Sequence, residues 1–429
     1  MKPVLIRGGR IVDPSQQLDG VGDVLLQDGK VVATGQGIGT PDGATVLDAT
    51  GFIVAPGLID VHVHLREPGH EDRETIATGA AAAVAGGFTG VCAMPNTDPV
   101  IDNQGAVGFV KAKGESAGLA RVYPIGCVSV GQRGEQLAEF GEMVGAGAVA
   151  FSDDGQPVMS SHLMRTALEY AQTFGIPVAD HCEDRPLARG GQMHEGLVST
   201  RLGLKGIPSA AEEIHVARDI ILSELTGGHV HLCHMSARGS VELIRRAKER
   251  GLRVTAEAAP HHFTLTHERC EGYDTNAKMN PPLREAEDRD AIRHALADGT
   301  LDCIATDHAP HHYDAKEREF DEAPNGIIGL ETALSLALRE LVAPGLLSLQ
   351  MLIERMSVAP ARLWHLPGGS LRRGTVADVV VFDPAATWTV NPAAFRSKSR
   401  NTPWNGEVLP GRVRWTLVDG RVVFQAAGQ

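Results

Sequence analysis

Residues 56–69, PGLIDVHVHLREPG, set two histidines, His62 and His64, one residue apart in an apolar run, with Arg66 close behind. Residues two apart on a strand point to one face, so the two imidazoles project together. Seven further apolar runs also end in polar, chemically able residues: TGVCAMPN, RVYPIGCVSV, GAVAFSDD, IPVADHCED, HVHLCHMS, RVTAEAAPHH and DCIATDHAPH. Between most of them lie helix-like stretches such as EQLAEFGEMVGAG, SHLMRTALEYAQTFG, AAEEIHVARDIILSEL and SVELIRRAKERG. Strand followed by Ala-rich helix is the pattern of parallel βα units. Eight such units over about 300 residues predict an α/β fold, a (β/α)8 barrel rather than an open doubly wound sheet. In such a barrel the C-terminal strand ends build the active site.

The chain ends read differently. VLIRGGRIVD and DVLLQDGKVVATG at the start, and TVADVVVFDP, TWTV and VRWTLVDGRVVF at the finish, are strand runs with hairpin turns. They predict one small β-sandwich domain from residues 1–54 and 365–429, bracketing a barrel over 55–364.

With 429 residues, 43% hydrophobic and 22% charged, the chain has the composition of a globular protein. A net charge of −13 without a basic stripe argues against a nucleic-acid partner. It leaves open an anionic small substrate in a locally positive cleft. No secretory signal and no bilayer-spanning run is present, so a cytoplasmic protein without a membrane partner is expected. Six scattered cysteines without CxxC pairs read as reduced, packed thiols. No phosphate loop occurs, and GQGIGT lacks dinucleotide spacing.

The strand ends assemble a donor set. His62 and His64 close the first strand, Asp153 and Asp154 the fourth, His181 the fifth, His234 the sixth and Asp307 the eighth. Six N and O ligands from five strands suit a pair of Zn²⁺ ions, or another divalent metal of like taste. Two such ions, two carboxylates and a bridging hydroxide leave the site electrophilic, as an anionic transition state requires.

At these residues the sequence resembles the dihydroorotases, of the cyclic-amidohydrolase superfamily, and most of all their longer bacterial type. The stretches that carry the resemblance are DVHVHLREPG, MPNT, FSDDG, HCED, HLCHMS, PHHFTL, KMNPPLR, TDHAPH and KSRNTPW, which run from residue 60 to residue 404. The resemblance implies that His62, His64 and Asp307 hold one metal and that His181 and His234 hold the other. A carboxylate of the DDG turn bridges the two. Alignment and strand alternation put Asp154 there, and leave Asp153 a turn or supporting residue.

Arg66, Asn96 and His311 would hold the substrate carboxylate, Arg66 through a bidentate guanidinium contact. His64 would also border the substrate, Asn280 the ring amide edge, and the backbone of Asn325 and Gly326 the pocket wall. Many relatives carry an aromatic where Asn325 stands, and an apolar residue where Asp180 stands. The implied reaction is the reversible cyclisation of N-carbamoyl-L-aspartate to L-dihydroorotate, the third step of pyrimidine synthesis. In the hydrolytic direction a metal-bound hydroxide is the nucleophile and Asp307 the general acid and base.

Implied partners are a second copy of the chain and aspartate transcarbamoylase. Rival readings are a hydantoinase, dihydropyrimidinase or allantoinase, whose bridging ligand is usually a carboxylated lysine, and an inactive subunit that supports the transcarbamoylase. AVAFSDDG has no lysine, and all six ligands are present. Eight other histidines (His162, His194, His215, His229, His231, His261, His262 and His308) and Cys182 and Cys233 carry packing or supporting roles on this reading, and a loop over residues 311–326 is expected to close on substrate.

Overall fold

A single glycine separates the two architectures of the chain. In the computed structural model, which describes residues 2–427, strand β5 (Ile53–Pro56) belongs to the sheet of the chain ends and β6 (Leu58–Val63) opens the barrel. Gly57 lies between them against Thr89, and a Cβ there would fall 2.2 Å from the Thr89 hydroxyl. Only a residue without one allows that approach.

The sheet of the chain ends also contains β1 (Val4–Asp13), β2 (Leu18–Gln27), β3 (Lys30–Gly35) and β4 (Thr45–Asp48). In the barrel, β7 (Phe88–Ala93), β8 (Arg121–Pro124) and β9 (Val178–Asp180) follow β6. A two-residue pair outside the ring, β10 (Met193–His194) and β11 (Gly206–Ile207), precedes β12 (Val230–Leu232), β13 (Val254–Ala258) and β14 (Cys303–Ile304). The chain returns to the first sheet as β15 (Val379–Thr389), β16 (Val408–Val418) and β17 (Arg421–Gln425). That sheet runs β17-β16-β15-β5-β1-β2-β3, with β4 also on β1. Hairpins turn at Asp28–Gly29 and Asp419–Gly420, where the sequence sets its Asp-Gly pairs.

The barrel ring is parallel: β6-β7-β8 on one side and β9-β12-β13-β14 on the other. Phe151 joins the halves, bridging to Gly126 and to Val178, and Val63 pairs with His308 to close the ring. The fourth run, GAVAFSDD, therefore contributes a single bridging residue in place of a full strand. Two buried carboxylates and a turn follow at once, and their backbone leaves the ladder to aim Asp154 into the lumen while Asp153 turns to the Val128 and Ser129 amides.

The helices bury one face each. Arg238–Glu249 buries Ser240, Val241, Ile244 and Ala247, the spacing of an amphipathic helix, and points its charged residues outward. Inside the ring, Cys92, Ile125, Ala179, Cys233, Cys303 and Ala305 from successive strands pack with Trp364. All six cysteines are free and buried. Among the described residues no helix is long and apolar enough to cross a membrane.

Candidate metal centre and active site

At the C-terminal ends of the strands, Asp154 sits among four imidazoles. Its Oδ1 lies 3.1 Å from His234 Nε2 and 3.4 Å from His181 Nδ1. Its Oδ2 lies 3.4 Å from His62 Nε2 and 3.5 Å from His64 Nε2. One oxygen thus serves each pair. His181 Nδ1 and His234 Nε2 are 3.0 Å apart, and Asp307 Oδ1 stands 3.1 Å from His64 Nε2 and 3.5 Å from His62 Nε2. A tetrahedral ion with bonds of about 2 Å spaces its donors about 3.3 Å apart. All six expected ligands come together, each of them buried.

Asp153 turns the other way. Its carboxylate accepts from the Val128 and Ser129 amides, at 2.9 and 3.1 Å, and from the Ser129 hydroxyl. It braces the turn that presents Asp154.

Glu257 is the residue that sequence reading passed over. This buried carboxylate on β13 accepts from His62 Nδ1 at 2.6 Å, and from His231 Nε2 and the His234 amide at 3.0 and 3.2 Å. Its only signal in the sequence is an acid inside an apolar strand run. Because a carboxylate only accepts, His62 Nδ1 must carry hydrogen, and the Nε2 lone pair then faces Asp154 and Asp307. Among the described residues, His62 Nε2 and His234 Nδ1 have no hydrogen-bond partner. His64 repeats the pattern: Nδ1 donates to Asn96 Oδ1 at 2.8 Å, and Nε2 faces Asp307. Lone pairs aimed at carboxylates repel unless a cation stands between them. The donor set fits a divalent metal on that ground.

The electrostatics favour positive charge at the same place: a proton on the imidazoles where no cation stands, a metal ion where one does. Burial opposes charge on His62, but Asp154, Glu257 and Asp307 override it and hold the imidazole well above its ordinary range. Burial likewise opposes charge on His181, and Asp154 and Glu183 lift it to about 10. Desolvation would raise Asp154 and Asp307, yet the imidazoles hold both below the ordinary carboxylate range. Cys233 has its sulfur within 4.8 Å of the His62 and Asp154 donors. Burial pushes its thiol well above the ordinary cysteine range. His194, His267 and Glu285 form another close group, but the Arg284 guanidinium lies 3.4 Å from His194 Nδ1 and opposes a second cation.

Above the cluster opens a cavity of about 380 Å³, lined by His64, Arg66, Asn96, Asp154, His181, His234, Asn280, Asp307, His311, Asn325 and Gly326 among others. Every residue expected to touch substrate is there. Arg66 is buried, and its Nε donates to Pro310 O at 3.1 Å. Among the described residues no carboxylate pairs with it. Burial first, then Arg73, lower it to about 10, so it remains a cation awaiting an anion.

Asn96 Oδ1 meets His64, and among the described residues its amide hydrogens have no hydrogen-bond partner at the cavity wall. Asn280 Nδ2 donates to Glu183 at 2.8 Å and lies 3.4 Å from His181 Nε2. His311 Nε2 donates to Asn325 O at 2.7 Å. Burial and Arg66 hold His311 at about 2, so it is neutral, with its one N–H engaged. Gly326 adopts φ +150, and a Cβ there would meet Ala309 O at 2.6 Å.

Three site residues hold strained backbone: φ is 63° at Arg66, 38° at His234 and 47° at Asp307. Left-handed non-glycine residues cost about 1–3 kcal/mol each and cluster where function requires them. The loop over 311–326 is stapled down by two lysines. Lys316 Nζ donates to the carbonyls of Thr275 and Pro324, both at 2.8 Å, and Lys278 Nζ to those of Phe320 and Asp321 at 2.5 and 3.2 Å.

Residues 51–240 match the model of a family described as dihydro-orotase-like. A dihydroorotase of Anaeromyxobacter dehalogenans is 56% identical over 98% of each chain. One of Citrifermentans bemidjiense is 55% identical over 99% of this chain and 100% of its own. Among solved structures, an L-hydantoinase (dihydropyrimidinase) from Arthrobacter aurescens superposes with a TM-score of 0.88 at 27% identity, covering 99% of this chain and 96% of its own. A dihydropyrimidinase from Brevibacillus agri gives 0.84 at 25% identity, covering 99% and 95%.

Proposed function

The chain belongs to the dihydroorotase family, and from that premise we propose how its residues catalyse the reversible cyclisation of N-carbamoyl-L-aspartate to L-dihydroorotate. The observation that carries the reading is one cavity with two faces: an unpaired buried guanidinium, Arg66, on one side, and Asp154 amid four imidazoles on the other.

His62, His64 and Asp307 would hold one divalent ion, His181 and His234 a second, with Asp154 shared, and Zn²⁺ suits the N/O donors. Ions bound there supply Lewis acidity toward the reacting carbonyl and bring the pKa of a water into the neutral range. The rest is done by side chains. Arg66 and the free Asn96 amide grip the carboxylate that does not react. His311 joins them on taking a proton, which the arriving carboxylate favours. Asn280 and the backbone at Asn325 and Gly326 hold the ureido group, so that cyclisation becomes an oriented intramolecular event. Asp307, kept ionised beside His62 and His64, accepts the proton of the attacking water in hydrolysis and returns it to the leaving ring nitrogen. In cyclisation it takes the ureido proton and gives it to the departing water.

The same reading divides the chain at 1–54, 55–364 and 365–429. It extends to cytoplasmic action, a homodimer and a complex with aspartate transcarbamoylase, which chromatography of the chain alone and with the transcarbamoylase tests. The decisive assay follows ultraviolet loss of dihydroorotate beside hydantoin and allantoin controls. Turnover of dihydroorotate alone is expected; turnover of hydantoin but not dihydroorotate overturns the substrate assignment.

A further inference from the structure

Below the metal cluster the barrel interior holds an unbroken line of polar groups. His229 Nε2 lies 2.7 Å from Thr255 Oγ1, Thr255 Oγ1 lies 2.8 Å from His231 Nδ1, and His231 Nε2 lies 3.0 Å from Glu257 Oε2. Glu257 Oε1 then lies 2.6 Å from His62 Nδ1. The line climbs from the N-terminal ends of β12 and β13 to their C-terminal ends. Trp364 stands edge-on to His231, with ring centroids 5.4 Å apart at 89°.

With neutral imidazoles, only one placement of hydrogens satisfies every link. Glu257 accepts twice, so His62 Nδ1 and His231 Nε2 both donate. His231 Nδ1 is then a lone pair, which the Thr255 hydroxyl must serve. That hydroxyl has one hydrogen, so its remaining contact must be a donor, His229 Nε2. Burial and the neighbouring His231, Arg253 and His365 hold His229 at about 3, the neutral form this order requires.

We propose that Glu257, His231 and Thr255 are positioning residues: a polarised hydrogen-bond chain, anchored at the floor of the barrel, that fixes the tautomer and orientation of His62 and leaves its Nε2 lone pair ready for a metal. The proposal rests on the metal-centre reading. It goes beyond that reading in assigning metal affinity to a hydroxyl three links away from the ligand it serves. Hydrogen-bonded neighbours of metal ligands commonly change affinity about 10- to 100-fold when lost, and here the lost partner is remote.

The test is Zn²⁺ affinity, measured by chelator competition on the intact protein and on Glu257→Gln, Thr255→Val and Thr255→Ser. Glu257→Gln is expected to weaken binding about 10- to 100-fold, because its amide hydrogens oppose the His231 N–H. Thr255→Val keeps the shape, removes the hydroxyl and gives a smaller loss in the same direction. Thr255→Ser restores it. Should Glu257→Gln fail to fold, the Val and Ser pair carries the test. Nitrogen-15 chemical shifts should report His231 protonated at Nε2; the opposite tautomer overturns the proposal. So does unchanged affinity in both Glu257→Gln and Thr255→Val, or a Ser variant no better than Val. A wild-type chain that takes up no Zn²⁺ overturns the metal centre itself, a distinct result.

Discussion

Two buried clusters of carboxylate and imidazole meet at His181 and the residue before it. Around Asp154, two carboxylates face ring nitrogens of four histidines, and the cluster draws in positive charge. Around Asp180, the accounts close. Asp180 accepts from Arg218 Nη2 at 2.8 Å and the Val158 amide at 3.2 Å, and His215 Nε2 lies 3.0 Å from it. Arg218 also donates to Asp219 at 2.6 and 2.9 Å. Burial first, then Asp180, push Asp219 well up, so the pair holds one negative charge against one guanidinium. Both clusters are deeply buried and histidine-containing. What separates them is satisfaction: the closed one needs nothing from outside, and the open one needs cations. Asp180 comes with its own arginine and histidine.

Breaking each cluster should therefore have opposite consequences. Asp307→Asn removes the proton acceptor and is expected to lower kcat about 10³-fold or more, with the folded state retained; steady-state kinetics beside metal analysis decides. Near-normal turnover with metals bound would remove Asp307 from the chemistry. Arg218→Met leaves Asp180 charged and short of donors. Loss of one partner of a buried pair costs about 3 kcal/mol or more, read as a lower urea midpoint, while kcat of the folded enzyme stays near wild type.

Arg66→Lys keeps the charge but loses the fork. An increase in KM of about 30-fold, larger than any change in kcat, is expected from the loss of one charged hydrogen bond of about 2 kcal/mol. Lys316 sharpens the comparison least forcefully. Burial first, then Lys278, lower it to about 7. Between about pH 7 and its ordinary value of 10.5 the unfolded chain holds the extra proton, so its contribution to stability rises with pH across that window and is least below it. Denaturation from pH 7 to 10 should show that slope in wild type and a flatter one in Lys316→Met.

The residues of the Asp154 cluster were legible because a period of two and polar strand ends need only the sequence. His62 and His64 declare themselves in this way, and the order of motifs places the rest. Glu257 was not legible, since one acid in TAEAAP has no partner visible in the sequence. His229 and His231 read as packing until their contacts with Thr255, on the neighbouring strand, are seen. His308 is buried against Glu74 at 3.3 Å, away from the cavity, as its adjacency to Asp307 implies. The left-handed backbone at His234 and Asp307 has no sequence signature, because neither residue is a glycine. Strand four shrank to Phe151 because the two aspartates after it are committed to turn and lumen, a tertiary demand that overrides its apolar run.

Metal content decides between an open cluster and a merely polar one. After exhaustive chelation and reloading with Zn²⁺, wild type should hold two ions per chain and regain turnover, and Asp154→Ala should hold fewer and stay inactive. Full turnover in the chelated enzyme, or two tightly held ions in Asp154→Ala, would contradict a carboxylate shared between two metals.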